Sequence, residues 1–118
     1  MARLLVVDDD IAMTKLLKTL LEMDGFDVMT AARGADAQRM AAANPPDLFL
    51  LDFHLPDMEG VELIHLLREM PQFSNTPIVV VSGRYVEPEV LAAGASAFMI
   101  KPYDTTELSM VMRQLIEG

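Results

Sequence analysis

The alternation of short apolar runs with stretches of helical periodicity constrains this chain more than any other feature. Five runs combine apolar and β-prone residues: LLVV (4–7), FDVMTA (26–31), LFLL (48–51), IVVV (78–81) and AFMI (97–100). Three of them are nearly continuous in apolar character, which is typical of strands that are covered on both faces. Such strands occur in parallel sheets, so the runs predict a buried parallel sheet.

The segments between these runs carry helical patterns, of which the first and the last are the clearest. Each places apolar residues at i, i+3, i+4, i+7 and i+8, which forms one apolar stripe. The stripes are Met13, Leu16, Leu17, Leu20 and Leu21 in the first helix, and Leu108, Val111, Met112, Leu115 and Ile116 in the last. Asp10 and Asp104 are predicted to cap these two helices, and Gly25 is predicted to end the first.

Three further helices are predicted, over about residues 35–43, 59–70 and 87–93. The last of these is short and contains Pro88. A strand followed by a helix therefore repeats five times, which predicts an α/β fold with a parallel sheet, right-handed crossovers and helices on both faces. Since no repeat, linker or low-complexity segment interrupts this order, residues 1–118 are predicted to form one domain.

Composition excludes several classes of protein. The chain has 9 basic and 18 acidic residues, for a net charge of −9, and no basic cluster, so we expect no direct nucleic-acid binding. No apolar run approaches the roughly 18 residues of a membrane span, and the first run breaks at Asp8, too early for a signal peptide. The absence of cysteine excludes disulfides and thiolate metal sites. These features predict a cytoplasmic protein.

Polar residues follow four of the five predicted strands. Asp8 and Asp9 follow the first, Asp52 the third, Ser82 the fourth and Lys101 the fifth. Because ligands of open α/β sheets bind beyond the carboxyl ends of the strands, these side chains are expected to converge at one edge. An aspartate run alone is also typical of a solvated loop, and a single serine or lysine is more often structural or exposed.

Three carboxylates in one cleft cannot all remain ionised unless a cation joins them. Oxygen ligands without His or Cys suit a hard ion, and a partly hydrated shell favours Mg²⁺ over Ca²⁺. A lysine beside acidic ligands makes sense if an anion also binds, with metal on one side and ammonium on the other. Phosphoryl groups fit this arrangement, and a carboxylate there can act as the nucleophile and form an aspartyl phosphate.

Four segments resemble the motifs of one family. LLVVDDD, LFLLDFHLPDMEG, IVVVSG and AFMIKPY, in this order, are similar to the motifs of receiver domains of two-component response regulators, including single-domain chemotaxis regulators. The resemblance covers essentially all 118 residues. It implies a doubly wound (βα)5, flavodoxin-like three-layer sandwich whose parallel five-stranded sheet has the order 2-1-3-4-5.

The resemblance also implies roles for the acidic residues and their neighbours. Asp52 would be the phosphoacceptor and a metal ligand, Asp9 would bind Mg²⁺ directly, and Asp8 would act mainly through water. The backbone carbonyl of His54 would be a further metal ligand. Mn²⁺ would substitute for Mg²⁺.

On the other side of the site, the resemblance implies that Ser82 donates a hydrogen bond to a phosphoryl oxygen and that Lys101 pairs with another. The Lys101–Pro102 peptide bond would be cis. Phe98 would be the switch aromatic that turns inward as Ser82 moves, although its position in a strand is equally typical of a core aromatic.

The sequence departs from the usual family pattern in three places. Leu55 stands where Met is common, and Gly83 follows Ser82 where Ala is common. Between Ser82 and Lys101 the chain is about one helical turn shorter than typical members, and the loss falls near Pro88. That region normally responds to phosphorylation, so the partner and dimerisation surfaces are expected to differ.

The resemblance implies a regulatory phosphoacceptor rather than an enzyme. Its partners would be a sensor histidine kinase or phosphotransfer protein upstream, and an effector protein or output domain downstream, with a phosphorylation-dependent dimer as one expected assembly. One alternative is a pseudo-receiver that binds proteins without phosphorylation, although it would lack an Asp or Lys that this chain retains. A haloacid-dehalogenase-type hydrolase is disfavoured because His54 stands where a second Asp would be required, and a flavin carrier because DDDIAM replaces a Ser/Thr-rich phosphate loop.

Overall fold

Each of the five apolar runs forms a strand, and each intervening segment contains a helix. The computed structural model describes all residues, 1–118. The strands are β1 (Arg3–Val7), β2 (Asp27–Ala31), β3 (Leu48–Asp52), β4 (Ile78–Ser82) and β5 (Ala97–Ile100). The helices are α1 (Ile11–Met23), α2 (Gly34–Ala43), α3 (Gly60–Glu69), α4 (Glu87–Ala93) and α5 (Thr105–Glu117), with a short 3₁₀ turn at Pro71–Phe73.

The strands form one sheet in the order β2-β1-β3-β4-β5, and every neighbouring pair is parallel. The predicted doubly wound, flavodoxin-like (βα)5 architecture is therefore confirmed. The order reverses at β1, which lies between β2 and β3, and the ligand site of such a sheet is expected beside this reversal.

Two apolar clusters cover the two faces of the sheet, because side chains alternate along each strand. One cluster packs Val7, Leu51 and Val80 against α2, α3 and α4, and the other packs Val6 and Leu50 against α1 and α5. The central strands are buried on both faces, as their continuous apolar sequences predict. No helix has the length and apolar character needed to cross a membrane.

The predicted helix ends are confirmed. The Asp10 side chain accepts a hydrogen bond from the Met13 N–H at the start of α1, and Asp104 accepts from the Thr106 N–H at the start of α5. Gly25 follows α1 with a φ of 96°, a left-handed conformation that glycine adopts without strain.

The apolar stripe of α1 is only half covered. Leu17 and Leu21 are buried, but Met13, Leu16 and Leu20 are exposed. These exposed residues line one side of a groove of about 550 Å³, and the segment from Lys101 to Thr105 lines the other side. The stripe is therefore wider than the surface that the sheet and α5 bury.

The guanidinium of Arg68 links α3 to the end of the short helix α4, in addition to the apolar packing of Val90 against α3. Arg68, near the end of α3, donates through Nε and Nη2 to the Gly94 carbonyl, at 3.1 and 2.8 Å, just after α4. Its Nη1 donates to the carbonyls of Phe73 and Thr76, at 2.7 and 2.6 Å. Desolvation lowers the pKa of Arg68 from its ordinary value. One side chain therefore joins the ends of two helices to the segment before β4.

Candidate functional site

The register of the sheet brings the acidic residues together. Val7 pairs with Leu51, so the next residues, Asp8 and Asp52, lie at the same level on neighbouring strands. Asp9 follows in the loop before α1. Carboxylate oxygens of Asp8, Asp9 and Asp52 lie within 4.8 Å of one another. The predicted convergence of the three aspartates is thus present, beside the reversal of strand order.

One lysine faces this acidic cluster. Lys101 Nζ lies 3.4 Å from Asp52 Oδ1 and 3.9 Å from Asp8 Oδ2. The side chains of Asp8 and Asp52 are only 12% and 14% exposed, whereas that of Lys101 is 36% exposed. Two of the three carboxylates therefore pair with one ammonium group, and the cluster keeps an excess of negative charge.

The surroundings of Asp8 raise its pKa. Desolvation raises the pKa of Asp8, against a lowering hydrogen bond from the Asp10 N–H at 2.9 Å. The charges of Asp52 and Asp9 raise the pKa further, and Lys101 opposes them only in part. The fold therefore disfavours the ionised form of Asp8 when no cation is bound.

Ser82 and Lys101 are joined through their backbones. Ser82 is 2% exposed, and its Oγ accepts a hydrogen bond from the Arg84 N–H at 3.1 Å. The Lys101 N–H donates to the Ser82 carbonyl at 2.7 Å. The Lys101–Pro102 peptide bond is cis, as predicted. The hydroxyl therefore lies at the last residue of β4, and the ammonium belongs to the residue that directly follows the neighbouring strand β5.

The side chain of His54 lies outside the acidic cluster. His54 is exposed, and its Nδ1 lies 3.0 Å from a carboxylate oxygen of Glu59. The sequence assigned a role to the backbone carbonyl of His54 rather than to its imidazole. The imidazole therefore offers no ligand to the acidic cluster, and the role of the carbonyl stays a prediction.

Phe98 is partly buried and packs against the cluster that α3 and α4 cover. Its ring lies edge-to-face with Tyr85, with centroids 6.1 Å apart. Tyr85 belongs to the loop between β4 and α4, which begins directly after Ser82. Phe98 is therefore in contact with the loop that its predicted switching role requires.

Sequence reasoning missed Tyr103, two residues after Lys101. Desolvation raises the pKa of the Tyr103 hydroxyl, and the charges of Asp8 and Asp52 raise it further. Tyr103 also lines the groove beside α1. The signal was weak, since an aromatic residue after a Lys-Pro pair has no distinctive periodicity.

The donor set fits a divalent cation of the Mg²⁺ type. All three side chains of the acidic cluster offer carboxylate oxygen, no thiolate or imidazole points into it, and one lysine does not balance their charge. Oxygen-only ligands in an open, partly solvated cleft are those that Mg²⁺ prefers. The same cleft presents an ammonium and a hydroxyl to an anion. The arrangement can therefore hold a metal and a phosphoryl group side by side.

Comparison with known proteins gives consistent matches. The sequence model described as "Response regulator receiver domain" matches residues 4–113. The phosphate regulon transcriptional regulatory protein PhoB of Rhizobium meliloti is 36% identical over 97% of this chain and 52% of its own length. The transcriptional regulatory protein PrrA of Mycobacterium bovis is 38% identical over 97% of this chain and 49% of its own length.

The chain spans about half the length of these curated relatives. Among solved structures, the chemotaxis response regulator CheY4 of Vibrio cholerae superimposes with a TM-score of 0.91 at 29% identity, covering 98% of each chain. The family model matches nearly the whole chain, the relatives exceed 30% identity, and the fold agrees. The chain belongs to the response regulator receiver domain family.

Proposed function

We propose that this domain accepts a phosphoryl group on Asp52 from the phosphohistidine of a sensor kinase or phosphotransfer protein. A carboxylate oxygen of Asp52 attacks phosphorus, the P–N bond breaks, and the imidazole of the donor leaves and takes up a proton. The observation that carries the proposal is the pairing of Asp52 with Lys101 within a cluster of three carboxylates.

The residues around Asp52 can stabilise a phosphoryl group while it is transferred to this carboxylate. Lys101 lies close enough to Asp52 to pair with an oxygen of the incoming group, and the buried Ser82 can donate its hydroxyl to another. Fixed donors of this kind stabilise charge as it develops on phosphoryl oxygens. Water later hydrolyses the acyl phosphate, which restores the Asp52 carboxylate and releases inorganic phosphate. The signal is the phosphorylated state of the domain and not the released phosphate, so we propose a regulatory phosphoacceptor and not an enzyme.

We further propose that Asp9, Asp52 and the His54 carbonyl hold Mg²⁺ directly and that Asp8 acts through water, with Mn²⁺ as a substitute ion. When bound, the metal neutralises charge on the phosphoryl oxygens and on the carboxylates. The geometry supports this assignment, because carboxylate oxygens of Asp8, Asp9 and Asp52 lie within 4.8 Å of one another. Burial, and to a smaller extent the charges of Asp52 and Asp9, raises the pKa of Asp8, and a bound cation would favour its ionised form.

We propose that phosphorylation of Asp52 shifts the population of the domain between two conformations that differ at its surface. As Ser82 turns toward the phosphoryl group, the loop that carries Tyr85 moves and Phe98 turns inward. The edge-to-face contact between the two rings supports this coupling. The altered surface then acts on an output domain or an effector protein, or on a second copy of the chain. Because the relatives are about twice as long, an output domain in the same polypeptide is one such recipient.

Incubation with acetyl phosphate and Mg²⁺, followed by intact-mass analysis, tests the proposal. We expect one acid-stable, base-labile phosphoryl adduct in the wild type, none in Asp52→Asn, and normal labelling in the control Asp36→Asn, which removes a carboxylate on α2. Equal labelling of Asp52→Asn refutes the assignment. No labelling of a folded wild type indicates instead a pseudo-receiver that binds proteins without phosphorylation.

A further inference from the structure

Helix α2 has no cap of its own. Arg33, the residue before its first turn, makes no side-chain cap bond. Asp57, 23 residues away from Gly34 in the loop between β3 and α3, supplies the cap. Its Oδ1 accepts from the Gly34 N–H at 2.9 Å, and its Oδ2 accepts from the Ala35 N–H at 3.0 Å. Both oxygens of one carboxylate therefore bind two free donors of another element.

The loop that carries Asp57 is closed at its base. The Phe53 N–H donates to the Val81 carbonyl at 3.0 Å, and the Gly60 N–H donates to the Phe53 carbonyl at 2.6 Å. An antiparallel bridge joins His54 and Glu59 just inside. Residues 53–60 thus behave as one compact unit that is fixed to β4 at the base and to α2 at the tip.

The two segments also approach each other closely. The Met58 side chain occupies the space that a side chain on Gly34 would need, since its Sδ lies 2.5 Å from the ideal position of a Cβ there. Burial alone would raise the pKa of Asp57, but the hydrogen bonds from Ala35 and Gly34, with the nearby charge of Arg33, lower it. The carboxylate is therefore ionised at neutral pH, in the form that caps a helix best.

We infer that Asp57 is a positioning residue for the metal site. By fixing the tip of the 53–60 loop to α2, it sets where the backbone carbonyl of His54 lies relative to Asp9 and Asp52. The inference rests on the proposed metal binding of this domain. Groups that orient metal ligands from outside the coordination shell typically change metal affinity about tenfold or more when removed.

Titration of the ¹⁵N-labelled chain with MgCl₂, followed by NMR, tests this role without any phosphorylation. We expect Asp57→Ala to weaken Mg²⁺ binding about tenfold, and Asp57→Asn, which keeps one acceptor oxygen, to weaken it less. We also expect the Gly34 and Ala35 amide signals to shift as Mg²⁺ binds to the wild type, because Asp57 links these amides to the loop of His54, and we expect no such shift in Asp57→Ala.

Asp36→Ala is the matched control. Asp36 lies in the same first turn of α2 and carries the same charge, but its partner is Arg39 on its own helix. Unchanged affinity in Asp36→Ala with weakened affinity in Asp57→Ala supports the positioning role. Equal affinities for Asp57→Ala and wild type overturn it, as do equal losses in the two alanine variants, which would reflect charge or helix stability alone. A wild type that binds no Mg²⁺ overturns the proposed metal site itself.

Discussion

Replacing Asp8 with Asn should stabilise the metal-free domain. Asp8 is nearly buried, and carboxylate oxygens of Asp9 and Asp52 lie within 4.8 Å of its own. At an effective dielectric constant of about 20, each repulsion across 4.8 Å is worth about 3.5 kcal/mol, and attraction to Lys101 across 3.9 Å about 4 kcal/mol. The net interaction of the ionised Asp8 carboxylate with these three charges is thus unfavourable by about 3 kcal/mol before solvent screening. Screening reduces this energy to about 1–2 kcal/mol, because Asp9 and Lys101 reach solvent.

Thermal unfolding followed by circular dichroism in EDTA measures this gain. For a domain of this size, 1–2 kcal/mol corresponds to a Tm increase of roughly 4–8 °C in Asp8→Asn. The pH dependence of this stability gain follows from the raised pKa of Asp8. A carboxyl whose pKa is raised by folding favours the folded state only while protonated, so the gain is present at neutral pH and vanishes as pH falls through the carboxyl range.

Two comparisons make this prediction specific. Asp10→Asn removes the neighbouring charge but leaves a good helix cap, so its stability should change by less than about 0.5 kcal/mol. Mg²⁺ at about ten times its Kd should stabilise the wild type by about 1.4 kcal/mol and Asp8→Asn by less. An Asp8→Asn variant that is no more stable than wild type in EDTA, or an equal gain in Asp10→Asn, would refute the reasoning.

Two further predictions concern groups outside the acidic cluster. Arg68→Met should lower the free energy of unfolding, measured by urea denaturation, by about 2–4 kcal/mol. The reason is that the carbonyls of Gly94, Phe73 and Thr76 lose a charged donor. A loss below about 0.5 kcal/mol, which is the size expected at an ordinary surface position, would contradict this prediction. The lowered pKa of Asp57 stabilises the fold above the ordinary carboxyl range, and this contribution is lost on acidification. The stability difference between wild type and Asp57→Ala should therefore narrow as pH falls through that range, and a constant difference would show that the carboxylate charge does not matter.

The sheet and its polar edge could be predicted because their signals are local. A strand buried on both faces must be continuously apolar, and a helix on a sheet must repeat its apolar residues at helical spacing. The polar residues at the carboxyl ends of β1, β3, β4 and β5 then meet at one edge by topology alone. The sequence also predicts the short helix α4 at its observed bounds, Glu87–Ala93.

The exposed half of the α1 stripe was not predictable in the same way. Periodicity shows that Met13, Leu16 and Leu20 share a face with Leu17 and Leu21, but not how much of that face a neighbour covers. Coverage depends on where α5 and the segment after β5 cross α1, which is a property of tertiary packing. The sequence shows an apolar stripe, and only the structure shows that part of it lines an open groove.

The contacts of Asp57 and Arg68 were missed for a different reason. Both side chains bind backbone groups of another element, and every residue type carries those groups. The sequence therefore does not indicate which residue provides the backbone group that Asp57 or Arg68 contacts. A turn-forming Asp after Pro56, or an Arg in the last turn of a helix, is ordinary until the fold shows which free amides or carbonyls lie beside it.

The rigidity of the sheet explains why the charge of the acidic cluster persists. Asp8 and Asp52 directly follow or end buried strands whose register is fixed on both sides. They cannot move apart without breaking that ladder, and a one-residue slip would turn every buried side chain to the opposite face. Repulsion between them must therefore be relieved by protonation, by Lys101 or by a bound cation. The same apolar strands that stabilise the fold thus keep the carboxylates close together. For this reason Asp8→Asn should raise the stability of the metal-free domain and, if Mg²⁺ binds as proposed, lower the stabilisation that Mg²⁺ adds.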